Sequence, residues 1–405
     1  MWRKMLVVGL MLAAGSTALA QAHQHSATAA AAADGQYNPY IASDNRGRFY
    51  LVYVERAKGA SNVMLRHSSD GVNFSAPVRV NNLDGDATVR NENPPKVAAA
   101  QGRVYVCWAS ERGKWKGDIR FARSTDGGKT FSPAITVNSD GANEPAGHAF
   151  QSLAVDSKGG VFIAWIDERD KRKEDRGAEI WLAASSDHGK TFSRDRRILT
   201  DVCECCRTNL QIDAAGNLYL SYRVVPRSGP MYRDIIIARS VDGGKTFAQA
   251  IVSEDKWEVN GCPVAGPSFS FDKHGAITVI WFMGAAERPG LYYATSTDNG
   301  KTFSTRRLLD PQQKLGKRAQ TTGLAGGGIF VAWDDTDEKM FSAWGVLDIQ
   351  KGLLRKSERR EGVAYPVVAT NGRIAVIAGM RLETHEVVTY AENLPATAES
   401  DSTGR

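Results

Sequence analysis

An eight-residue phrase returns along this chain at near-constant intervals, and it constrains the fold more than any other feature. Ser124-Thr-Asp126-Gly-Gly128-Lys-Thr130-Phe131 recurs as Ser185 to Phe192, Ser240 to Phe247 and Ser296 to Phe303, and a shorter copy runs Ser68-Ser-Asp70-Gly71-Val-Asn-Phe74. Asp70, Asp126, Asp187, Asp242 and Asp298 therefore stand 56, 61, 55 and 56 residues apart. Self-similarity at a fixed period means one supersecondary unit repeated. The phrase has the chemistry of a hairpin turn. Its Asp can accept from backbone N–H groups just downstream, its Gly supplies positive φ, and its Phe can anchor the turn beneath. These aspartates are structural, and no catalysis is expected of them.

A second periodicity runs ahead of the first. Phe49 to Tyr53, Val104 to Trp108, Val161 to Trp165, Leu218 to Tyr222 and Ile277 to Trp281 each read as a β-branched or apolar strand ending in a large aromatic. Ile329 to Trp333 and Ile374 to Ala378 continue the series without the phrase. Each follows a short strand and a turn such as Asp213-Ala-Ala-Gly216. The unit is strand, turn, strand, loop, strand, Asp turn, strand: a four-stranded antiparallel blade. Units begin near residues 37, 93, 148, 206, 264, 319 and 363. The expectation is an all-β propeller over residues 37–395, with seven blades favoured and six the alternative.

The wording S-x-D-x-G-x-T-F resembles the Asp box of the sialidase (neuraminidase) superfamily. That resemblance implies a propeller whose ligand face lies opposite the boxes, where the second-to-third strand loops and the inter-blade connections surround the channel. It also implies an acidic-glycan ligand and, for an enzyme, an exo-sialidase-type hydrolase. Sialidases use an arginine clamp on the substrate carboxylate, a Tyr nucleophile paired with Glu, and an Asp acid. Arg offers carboxylates a bidentate fork. Arg223 and Arg381 are candidate clamp residues, Asp167 a candidate acid and Tyr222 or Tyr390 a candidate nucleophile, with Arg112, Arg169, Arg207 and Glu168 on the ligand face. The family's Arg-Ile-Pro signature is absent: the matching place reads Tyr37-Asn-Pro39-Tyr40. None of them sits in a matching local motif, and the favoured reading of these charges is solvated loop ion pairs.

The cysteines are the more individual feature. Asp201-Val-Cys203-Glu-Cys205-Cys206-Arg207 precedes the expected inner strand of blade four, and Asn260-Gly-Cys262-Pro precedes that of blade five. His148 holds the corresponding place before blade three. Equivalent positions in adjacent blades lie side by side, so Cys203, Cys205, Cys206 and Cys262 should meet. One reading is disulfides, with Cys262 bonded to one of the three and room for a second bond within the C-x-C-C segment. The other is a thiolate site with His148 for copper or zinc. No cofactor is required by either. Cys107, inside an apolar strand, reads as a small buried hydrophobe.

The ends lie outside the fold. Arg3 and Lys4, the apolar run Met5 to Leu19 and Ala18-Leu19-Ala20 read as a signal peptide over residues 1–20, which implies a periplasmic or secreted protein. Residues 21–36 read as a disordered leader and 396–405 as a disordered tail. Loss of Arg3 and Lys4 leaves 49 basic against 45 acidic residues, taking the net charge from +6 to +4. The basic residues are scattered, which argues against nucleic acid. No stretch reaches the length of a membrane span. A monomer binding an acidic glycan or small molecule is the expectation.

Overall fold

The computed structural model describes residues 32–394 apart from 91, 111–115, 141–145, 171–175, 286, 312–315 and 337–338. The signal peptide, most of the leader, the tail and Arg112 fall outside the described residues. Six four-stranded antiparallel sheets and a three-stranded seventh follow one another in chain order. The inner strands are Gly35–Ser43, Lys96–Ala100, His148–Val155, Asn209–Ile212, Ser268–Phe271, Lys317–Gly323 and Val363–Thr370. Each packs beside the next, and the seventh packs beside the first, so the ring is closed. The count is seven blades. The first strand stays in blade one and does not complete the seventh sheet. Among the described residues no helix is long and apolar enough to cross a membrane.

The two sequence periodicities have separate tasks. The second-strand aromatics Tyr53, Trp108, Trp165, Tyr222, Trp281 and Trp333 are all fully buried. They fill the wedges between blades, where large rigid side chains contribute most apolar burial. The Asp boxes cap the far ends of the third strands. In the blade-four box, Asp242 accepts from Thr246 N at 3.0 Å and from its hydroxyl at 2.6 Å, while Ser240 Oγ accepts from Gly244 N at 2.8 Å. Gly244 has φ +80°, and a Cβ there would lie 2.6 Å from Leu182 of blade three. The box is thus a turn and a contact between blades. Hydrogen bonding to the carboxylates holds Asp70, Asp126, Asp187, Asp242 and Asp298 below the usual Asp range. Ser240→Ala should lower stability by about 1–3 kcal/mol by orphaning the buried Gly244 N–H, read as a shift in denaturant midpoint.

Polar contacts join neighbouring inner strands around the channel. Ser152 Oγ donates to Thr208 O at 2.8 Å, Gln151 to Pro94 O at 2.8 Å, and Ser43 Oγ to Thr370 O at 2.6 Å across the closure. Gly266 allows the approach of blade four, since a Cβ there would lie 1.9 Å from Arg207 O. Four inner strands carry a register shift near their start, at Tyr37/Tyr40, at Ala164/Ile166 opposite Ala149 and Ser152, at Lys317/Gln320 and at Ala364/Val367. Within these bulges Asn38, Phe150, Arg318 and Tyr365 adopt positive φ, as do Glu92 and Val264 ahead of the inner strands of blades two and five. Bulges re-aim side chains, and non-glycine residues held at positive φ cluster at functional sites. Here they mark one end of the channel.

Candidate functional site

That end carries a compact set of charges. Glu92, fully buried, sits between two arginines: Arg207 Nη1 is 3.2 Å from Glu92 Oε2, and Arg318 Nε is 3.4 Å from Oε1. Arg318 also contacts Asp334 Oδ2 at 2.5 Å. Tyr365 N donates to Asp334 Oδ1 at 3.0 Å, and the Arg318 guanidinium covers the Tyr365 ring at 4.4 Å. On the other side the Lys96 ammonium lies 4.1 Å from the Tyr40 ring centroid. Blades one, two, four, six and seven all contribute. Arg318, Tyr40 and Tyr365 are half-buried, the others buried.

Three cations here face two carboxylates. Lys96 has no carboxylate within ion-pair reach among the described residues, and Arg207 Nε is buried without a partner. Burial, then repulsion from Arg207, brings Lys96 down to about 7. Burial pushes Glu92 and Asp334 up despite the adjacent arginines. Burial also raises the Tyr365 phenol, with Arg318 opposing and Glu92 and Asp334 assisting. A channel end with surplus positive charge and two aromatic faces suits an anionic sugar: cations for its carboxylate, rings for its apolar face.

Of the candidates named from the sequence, Arg207 alone belongs to this set. The proposed catalytic residues are not brought together. Arg223 is fully buried and donates to the carbonyls of Arg233, Ala265 and Phe282 at 2.6–3.0 Å. Tyr222 is buried with its hydroxyl on Gln249 at 2.6 Å, and burial pushes its phenol above the usual range. Arg381 is exposed, opposite Glu386 in the sheet register. Asp167 is buried and engaged by Trp165 Nε1 at 2.8 Å and Arg169 Nη2 at 2.7 Å. Its second strand runs to Asp167 itself, so this carboxylate closes a blade rather than lining a loop. Arg169 is also bonded to Asp195 at 2.6 Å and stacked on Trp181 at 3.9 Å. Glu168 is half-buried beside it. No motif marked Glu92, Lys96 or Arg318; only their places just ahead of, or at the start of, inner strands could have done so.

His148 does not join the cysteines. Its Nε2 lies 3.2 Å from both Asp140 and Asp167, and its Nδ1 is 2.6 Å from Gly117 O. Burial opposes the charged ring, but the two carboxylates overcome it and raise His148 to about 10. The four cysteines do meet. Cys205 and Cys262 form a disulfide, with Cα atoms 6.2 Å apart. Cys203 and Cys206 are buried free thiols, and Cys203 Sγ lies 3.5 Å from Cys205 Sγ. Burial resists ionisation of Cys206, yet its bond with Cys203 and the Arg223 charge bring it to about 7. A hydrogen bond with Cys206, then burial, moves Cys203 well upward. Cys107 is free and buried in its strand, as expected.

Blade number, box geometry and a charged channel mouth define the class: a seven-bladed, sialidase-like Asp-box propeller. Residues 83–376, more than half of the chain, match the BNR repeat-like domain, and the chain belongs to that family. The comparison with curated proteins finds no match. Among solved structures, a polysaccharide lyase of family PL25, an ulvan lyase bound to -[GlcA(1-4)Rha3S]-, aligns with a TM-score of 0.57 at 12% identity over 90% of this chain and 95% of that one. The Hadza microbial sialidase Hz136 aligns with a TM-score of 0.52 at 15% identity, covering 83% and 74%. The intramolecular trans-sialidase of Ruminococcus gnavus, solved with oseltamivir carboxylate, gives 0.52 at 12% identity, covering 75% and 94%. At these identities the likeness is one of fold.

Proposed function

We propose that the channel mouth binds a carboxylate-bearing glycan and that the protein acts on glycans of this class. The observation that carries this reading is the surplus cation set Lys96, Arg207 and Arg318 beside Tyr40 and Tyr365, at the bulged end of the channel. The ligand carboxylate would take the Lys96 ammonium and the unpartnered Arg207 Nε, while Glu92 and Asp334 hold the arginines in place. The two tyrosine rings would receive the sugar's apolar face. The ligands of two structural neighbours, a glucuronate-containing chain and oseltamivir carboxylate, share the negative charge this set would select.

For a hydrolytic reaction of the sialidase type, Tyr365 and Glu92 are the residues to carry it. The phenol is protonated at neutral pH and serves first as a donor to a sugar oxygen. Glu92, raised by burial, has the environment of a base able to take that proton. The signal-peptide reading of residues 1–20 supports a periplasmic or extracellular setting for this activity.

Titration calorimetry of the mature protein with a sialylated, a uronate-containing and a neutral oligosaccharide tests the binding reading. At least one acidic ligand should bind, the neutral one should not, and affinity should fall with added salt. Equal affinity for neutral and acidic ligands, or none for either acid, would sink it. Turnover of a fluorogenic sialoside that disappears in Tyr365→Phe would support the hydrolytic step; turnover unchanged in that variant would remove it.

A further inference from the structure

Away from the channel set, the cysteine cluster poses an electrostatic problem that its own sulfurs solve. Arg223 and Arg233 are both buried, at 0% and 6% exposure. Arg223 donates only to carbonyls, and its Nε has no partner. Arg233 donates to Val259 O at 3.3 Å, Gly261 O at 2.7 Å and Cys203 Sγ at 3.4 Å. Among the described residues neither has a carboxylate in ion-pair reach. Two buried cations without an anion are costly. The acidic groups beside them are the Cys203 and Cys206 thiols, whose Sγ atoms lie within 4.8 Å of each other and of the disulfide sulfur of Cys205.

We propose that Cys203 and Cys206 form a two-thiolate site for copper(I), held by Arg223 and Arg233 and shielded by the Cys205–Cys262 disulfide. The disulfide consumes Cys205, so two sulfur ligands remain, and no His or carboxylate joins the cluster. Zinc takes four ligands in a structural site. Thiolates select soft cations, and copper(I) is stable with two sulfurs. Charge points the same way. Copper(I) on two thiolates carries −1, the charge of a thiolate–thiol pair sharing one proton, so the metal replaces that proton without altering the balance with the arginines. Oxidation of the pair to a disulfide would release its one proton and two electrons to an external oxidant and leave both guanidiniums without an anion. The arginines therefore stabilise the reduced pair beside an oxidised one. Arg233 Nη1, donating to Cys203 Sγ, is a positioning residue. Gly261 is exposed and Cys262 half-buried, which places the site just below the surface.

The test is competition of the full mature protein against bicinchoninate for copper(I), kept reduced with ascorbate so that the Cys205–Cys262 bond survives. One copper(I) per chain with sulfur-only coordination in X-ray absorption is expected. Cys203→Ser/Cys206→Ser should bind none, Cys107→Ser should bind as wild type, and Arg233→Met should bind about 10–100-fold more weakly. No copper uptake by the wild type overturns the proposal, as does uptake undiminished in the double variant. Should that variant fail to fold, the wild-type spectrum decides: nitrogen ligands, as from His23 and His25, contradict the site. A Cys203–Cys206 disulfide in the intact mass of non-reduced protein contradicts it too.

Discussion

His148→Ala should destabilise the propeller by about 3–5 kcal/mol, because it leaves the Asp140 and Asp167 carboxylates buried beside a site that has lost its imidazolium. His148 spans the start of blade three, 3.2 Å from both carboxylates, with no exposed side-chain surface. Its pKa, raised from 6.5 to about 10, fixes the sign of the pH dependence. A group whose folded pKa is raised contributes fully below its unfolded value and loses that contribution as pH rises through the folded value. Wild-type stability should therefore decline between pH 6.5 and 10. Asp140 and Asp167 are depressed from 3.8, so their share is present above that value and lost as pH falls further. Urea unfolding at several pH values checks this: the alkaline decline should be much shallower in the variant. Equal slopes in the two proteins would show that the ring is neutral in the fold.

Lys96→Met should weaken binding of an acidic oligosaccharide by about 10–100-fold, the worth of one hydrogen bond to a charged group. Methionine fills a similar volume, and loss of a buried cation need not harm the fold. With Lys96 near 7 in the free protein, wild-type affinity should fall as pH rises through neutrality, because the uncharged amine no longer attracts a carboxylate. The Met variant should be flat over the same range. Calorimetry at pH 6, 7 and 8 reads both effects, and an identical pH slope in the variant assigns the titration to another group.

The scaffold was legible because its determinants are local and repeated. Each Asp box is one contiguous turn, each wedge aromatic ends one apolar run, and seven unit starts fell within a few residues of the seven inner strands. The meeting of Cys203, Cys205, Cys206 and Cys262 followed from the same spacing. The site was less legible, for two physical reasons. Strands extended further than their apolar runs, so Asp167 and Arg223 became buried strand ends with backbone or ion-pair partners. The channel residues, in turn, depend on bulges and positive φ at Arg318 and Tyr365, which carry no residue signature, since neither is glycine or asparagine. Glu92 and Lys96 flank a unit start near residue 93 and belong to no motif. Only the closed ring brings them within reach of Arg207 and Arg318.

The most direct test of an acidic-glycan site at the channel mouth is a crystal structure of the protein with the acidic oligosaccharide that binds it most tightly in solution. The sugar carboxylate should lie within hydrogen-bond distance of Lys96 and Arg207, with Tyr40 or Tyr365 against the ring. A ligand seated on the Asp-box face, or at the channel mouth with its carboxylate turned away from all three cations, would contradict it.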